Sequence, residues 1–149
     1  MSSLTYLLAT DGSIPARAAE DFLVQQANSG NDSIIVLGVY DPSDVLGGYQ
    51  YSSPRFESFP IEDLAGKMES NMEDLVEQCA ERFEQMDFDV TTEVIQGIPR
   101  EEIIAMAEDY HVDSIVMGRS GAGAVTELLL GSTSSYVVHH ADYPVTLVP

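Results

Sequence analysis

The stretch Asp113–Val148, DSIVMGRSGAGAVTELLLGSTSSYVVHHADYPVTLV, decides the fold. It opens on a short apolar run, Asp113–Met117, of the length and composition of a buried strand. Glycines at 118, 121 and 123 break that run, a mainly helical stretch reaches His140, and Tyr143–Val148 is apolar again. A strand, a turn, a helix and a second strand make a unit whose two strands lie parallel.

The same alternation runs back to the start of the chain. Leu4–Thr10 is an apolar run ended by Asp11-Gly12, and Ile14–Asn28 reads as a helix with Ser13 as cap and Pro15 in its first turn. Ser33–Tyr40 (SIIVLGVY) is a second buried strand. Ile61, Leu64, Met68, Met72, Leu75, Cys79, Phe83 and Met86 recur at steps of three and four, one face of a long helix. Phe88–Ile95 alternates as a strand, Gly97-Ile98-Pro99 turns, and Arg100–Tyr110 is a shorter helix.

Near-continuous apolar strands separated by helices predict a parallel sheet covered on both faces. Right-handed crossovers then give a doubly wound three-layer α/β/α sandwich on an open five-stranded sheet, a single domain over 1–149. In such sheets ligands bind beyond the carboxyl ends of the strands, where strand order reverses. The loops that matter are therefore Asp11-Gly12, Asp41 onward, Gly97-Ile98-Pro99 and Gly118–Gly123. The connection from Asp41 to Pro60 is longer than usual, the length of a lid or of a poorly ordered segment.

Composition narrows the class. No apolar run approaches the ~20 residues that span a bilayer, and no basic-then-apolar start resembles a signal peptide, so a soluble cytoplasmic protein with no membrane contact is expected. A lone Cys79 excludes an internal disulfide framework and reads as inert core. Six basic residues face 25 acidic ones, for a net charge of −19. That field repels phosphate backbones and argues against nucleic-acid binding. Acids dispersed along the whole chain fit a salt-rich cytoplasm, where screening relieves their repulsion; the rival reading is an acidic surface for a basic partner.

The residues that could carry chemistry lie in the opening stretch. Glycines 118, 121 and 131 would let backbone N–H groups approach a phosphate closely, and Ser132 and Thr133 stand where a helix begins. Two such clusters on one side of a sheet could cradle a phosphate chain; equally, the glycines could serve only to turn the chain, and Ser132 to cap its helix. A dinucleotide fingerprint is absent: Gly121-Ala122-Gly123 leads to Thr126 where a third glycine belongs, and no acid ends the next strand. There is no Walker-type glycine loop, and the separation of His111 from His139-His140 shows no metal triad.

Gly118-x-x-Gly121, nine residues, then Gly131-Ser132 resembles the ATP-binding signature of the universal stress protein family. Thr10-Asp11-Gly12-Ser13, Gly97-Ile98-Pro99 with Asp113–Gly118, and His140–Val145 resemble the family's start, middle and close, in order. The resemblance implies a Rossmann-like fold of the adenine nucleotide alpha hydrolase type, with strand order 3-2-1-4-5. It implies that Asp11, with Ala9 and Thr10, attends the adenine side and that Val39 offers a backbone contact to the base. Met117, Gly118, Ser120 and Gly121 would line ribose and phosphates, with Gly131, Ser132 and Thr133 closing over the phosphate chain. No Lys or Arg stands between Gly121 and Gly131, where Glu127 adds a negative charge. Phosphates would therefore rest on backbone N–H groups, hydroxyls, Arg119 and a bound Mg²⁺.

The function so implied is ATP-dependent regulation in stress, through conformation or partner choice. Few groups are placed to activate water, so hydrolysis should be slow at most, with autophosphorylation at Ser132 or Thr133 the other chemistry. The alternative is an acidic protein-interaction module on the same fold that uses no nucleotide. The apolar final strand, Tyr143–Val148, needs a partner, and the resemblance implies a homodimer through it.

Overall fold

A computed structural model describes residues 2–43, 61–120 and 130–149. Five strands, β1 (Thr5–Ala9), β2 (Ser33–Tyr40), β3 (Asp89–Gln96), β4 (Ser114–Gly118) and β5 (Val145–Val148), form one sheet in the order β3-β2-β1-β4-β5. All four pairings are parallel. The helices are α1 (Ile14–Gln26), α2 (Ile61–Glu84), α3 (Pro99–Tyr110) and α4 (Ser132–His140). The doubly wound sandwich and its expected strand order are what the structure has. Tyr49, Tyr51, Phe56 and Phe59 in the long connection, and Gly121 and Glu127 in the glycine-rich one, lie outside the described residues.

Alternation along each strand sorts the core into two layers. Leu7, Ile35, Leu37, Ile115 and Met117 face α3 and α4, meeting Ile103, Met106, Ala107 and Val137. Leu8, Ile34, Val36 and Val116 face α1 and α2, meeting Ala19, Leu23, Val76, Cys79 and Phe83. Phe83 and Phe88 lock the end of α2 to the start of β3 edge to face, with ring centroids 5.7 Å apart. Met86, the last residue of the apolar stripe, falls past the helix end and is exposed.

The chain moves from β1 to β2 to β3 with helices on one face, then crosses back to β4 and β5 with helices on the other. Strand order therefore reverses between β1 and β4, and their carboxyl ends diverge into a crevice. At the amino ends of the strands, opposite the crevice, a buried carboxylate pins the turn before β2. Asp32 accepts the Asn28 N–H at 2.8 Å, the Leu4 N–H at 3.0 Å and the Asn31 side-chain amide at 3.0 Å. Burial works against its charge, but the hydrogen bonds from Asn28, Leu4 and Asn31 outweigh it and hold the carboxyl below its usual range.

Candidate functional site

Three chain segments build the rim of the crevice. After β1 the chain turns through Thr10–Ser13, where Gly12 takes a left-handed φ of +77°. The turn is tied by its own side chains. Thr10 Oγ1 accepts from the Gly12 N–H at 3.3 Å, Asp11 Oδ1 from the Ser13 N–H at 2.9 Å, and Ser13 Oγ caps α1 through the Ala16 N–H at 3.3 Å. The Thr10 N–H itself donates to the Leu37 carbonyl, which holds this turn against the tip of β2.

The second segment leaves β4 at Gly118. A Cβ there would stand 2.7 Å from the Pro15 carbonyl carbon, so the glycine is what lets α1 lie against β4. The third is the start of α4. Gly131, not Ser132, is its N-cap, and no side chain caps the helix. The first-turn N–H groups, from Ser132 to Ser134, are left without intrahelical partners and face the crevice with the positive end of the helix dipole. Two bonds staple this turn to the exit of β4: Ser134 Oγ to the Gly118 carbonyl at 2.9 Å, and the Gly131 N–H to the Arg119 carbonyl at 3.1 Å.

Together these segments enclose a cavity of about 370 Å³. Ala9, Thr10, Asp11, Val39, Met117, Gly118, Ser120, Gly131, Ser132 and Thr133 all line it. Arg119 does not. Its backbone N–H is spent on the Val148 carbonyl at 2.8 Å, tying β4 to the end of β5, and its buried Nε has no hydrogen-bond partner among the described residues. Ser13, Ala16, Leu37, Pro99, Ile103 and Ser134 also line the cavity, though nothing in the glycine signature marks them. The walls divide by chemistry. Ala9, Leu37, Val39, Met117, Pro99 and Ile103 make an apolar compartment, while Asp11, Ser13, Ser120 and Ser132–Ser134 make a polar one. Such a hollow suits a ligand that is flat and apolar at one end and rich in oxygen at the other.

The model of the universal stress protein family matches residues 5–149. The chain belongs to the universal stress protein family. It is 34% identical over 145 residues to a universal stress protein of Thermus aquaticus, covering 97% of each chain. With universal stress protein MJ0577 of Methanocaldococcus jannaschii it shares 30% identity over 128 residues, 78% of this chain and 76% of that one. The solved structure of MJ0577 superposes with a TM-score of 0.82 at 28% identity over 97% of this chain and 94% of that one. Two more distant structures share the fold. One is a universal stress protein in complex with cAMP, with a TM-score of 0.69 at 21% identity over 98% and 97% of the two chains. The other is a family member from Arabidopsis thaliana with AMP bound, with a TM-score of 0.60 at 16% identity over 97% and 90%.

Two other sequence features of this universal stress protein have structural explanations. Cys79 is buried between α1 and α2; burial, then a hydrogen bond to Glu20, pushes its thiol far above the usual range, which leaves it unreactive. His139 and His140 end α4, their Nδ1 atoms 2.7 Å from the Ser135 carbonyl and 2.8 Å from that of Tyr136. No group of three or more His, Cys, Asp or Glu among the described residues is arranged to hold a metal ion. No helix among them is long and apolar enough to cross a membrane.

Proposed function

We propose that this universal stress protein binds ATP in the crevice between β1 and β4 and acts as a nucleotide-dependent regulator in a salt-rich cytoplasm. The observation that carries the reading is one cavity lined both by apolar side chains and by the uncapped first turn of α4. The base would lie against Val39, Met117 and Ala9, and Asp11 would face the ribose or the adenine edge. Gly118 and Ser120 would line ribose and phosphates. Gly131, Ser132 and Thr133 would receive the phosphate chain. Backbone N–H groups suit a chain of this net charge, because short-range dipoles are screened less by salt than a surface lysine is. The family members solved with AMP and with cAMP support an adenine nucleotide as the ligand class.

Bound Mg²⁺ would neutralise phosphate charge. Asp11 is the one carboxylate among the described cavity walls, and Mg²⁺ commonly keeps several waters and takes one or two carboxylates beside phosphate oxygens. Arg119 does not line the cavity, so it would reach the phosphates only by a change in its side-chain position. Few groups in the cavity can orient water or stabilise a leaving phosphate, so turnover would be slow. Autophosphorylation would fall on Ser132 or Thr133. The edge strand β5 is half-buried, and pairing with its twin across a two-fold axis would complete a homodimer.

Isothermal titration of ATP with Mg²⁺ in molar KCl tests the reading on wild type and Gly131→Val. Micromolar binding that is lost in the folded variant supports it. No heat with folded wild type would overturn it and favour the acidic interaction module.

A further inference from the structure

The apolar compartment has a wall that the glycine signature does not describe. Pro99 and Ile103 stand four residues apart on α3, hence on one face of the helix, and both line the cavity. Ile103 is 3% exposed and packs in the same layer as Leu37 and Met117, with Val39 against it, so its side chain has no free room to swing away. The polar side of the cavity is made by the Thr10–Ser13 turn and the start of α4. A nucleotide with its sugar and phosphates there would place its base among the apolar lining residues, of which Pro99 and Ile103 are the part that α3 supplies. The far edge of adenine, opposite the glycosidic bond, carries the exocyclic amine.

The geometry points to Ile103 as the residue that sets the size limit of the base compartment, restricting this site to purines without a bulky substituent on that amine. This rests on the nucleotide reading above and adds a selectivity to it. Hydrophobic walls discriminate against added bulk by clash, and shortening the wall residue relieves the clash without touching the phosphate side.

The test measures Kd for ATP and for N6-benzyl-ATP, each with Mg²⁺ in molar KCl, on wild type, Ile103→Val and Ile103→Ala. Wild type should bind ATP and reject the benzyl analogue at least tenfold. The ratio of the two affinities should shift toward the analogue by tenfold or more in Ile103→Ala and by less in Ile103→Val. A purely structural role for Ile103 would weaken both ligands together and leave the ratio unchanged. An unchanged ratio in both folded variants, or benzyl analogue bound as tightly as ATP by wild type, overturns the proposal while the nucleotide reading stands. Absence of ATP binding to wild type overturns both, and that outcome is distinct. If Ile103→Ala does not fold, Ile103→Val still decides, because loss of one methylene is enough to move the ratio measurably.

Discussion

Three glycines of this fold differ in what a methyl group would meet, and the series Gly118→Ala, Gly38→Ala and Gly66→Ala turns that difference into an ordering of stability. At Gly118 the new Cβ would lie 2.7 Å from the carbonyl carbon and Cβ of Pro15 and 3.0 Å from the Ala16 nitrogen. These are backbone and ring atoms at the start of α1, so relief needs the helix itself to shift by several tenths of an ångström. Overpacking of that kind costs about 2–3 kcal/mol. At Gly38 the Cβ would meet Met72 Cγ and Sδ at 2.5 Å and Val76 Cγ2 at 2.7 Å. Met72 can change rotamer while Val76 yields less, for a cost of about 1–2 kcal/mol. At exposed Gly66 within α2 no atom of the described residues lies within 4 Å, and alanine should stabilise by about 0.5–1 kcal/mol through helix propensity. Thermal unfolding in molar KCl reads the series, at roughly 2–4 °C per kcal/mol for a chain of this size. Gly66→Ala should melt slightly above wild type, Gly38→Ala below it, and Gly118→Ala lowest, about 4–12 °C down. Equal melting temperatures for Gly118→Ala and Gly66→Ala would refute the packing of α1 on β4 that sets one side of the crevice.

Other outcomes follow from single features. Asp32 has a lowered folded-state pKa, so its contribution to stability is full above the unfolded carboxylate value and is lost progressively as pH falls from there through the folded-state value; Asp32→Ala should cost about 2–3 kcal/mol at pH 7 and less as the pH is lowered through the acid range, read by denaturant titration across that range. Tyr136 stacks on His140 at 3.9 Å between ring centroids, with the Arg100 guanidinium 5.3 Å from its own centroid; Tyr136→Ala should loosen α4 from α3 and cost about 1–2 kcal/mol by the same titration. Light scattering in molar KCl should give a dimer that Leu147→Asp converts to monomer, and a monomeric wild type would remove the proposed β5 pairing.

Much of this architecture was legible because each level of the sequence agrees with the next. SIIVLGVY reads as a buried strand and forms β2 over the same residues, with Ile35 and Leu37 on one face and Ile34 and Val36 on the other. The ends of elements were less legible. Ser132 looks like a cap, yet Gly131 takes that position, and the start of α4 is held by the Gly131 N–H on the Arg119 carbonyl and by the Ser134 hydroxyl on the Gly118 carbonyl. The glycine signature located the polar compartment. It could not locate Ile103, whose apolar character serves the core and the cavity alike. The turn Gly97-Ile98-Pro99, a strand exit followed by a helix, pointed to that wall without naming the residue one helical turn inside it. Arg119 shows the converse: a lone cation in a phosphate-like motif, it is bound through its backbone to the end of β5.

One molecule of ATP is expected to span the apolar and the polar lining of the cavity. Amide chemical-shift mapping of labelled protein in molar KCl, with ATP and Mg²⁺ compared against adenosine alone, tests it most directly. Adenosine should move the amides of Val39 and Met117, and ATP should move those and, in addition, Gly131, Ser132, Thr133 and Ser134 at the start of α4. Shifts with ATP that bypass the first turn of α4, or that cluster away from the carboxyl ends of β1 and β4, would contradict it.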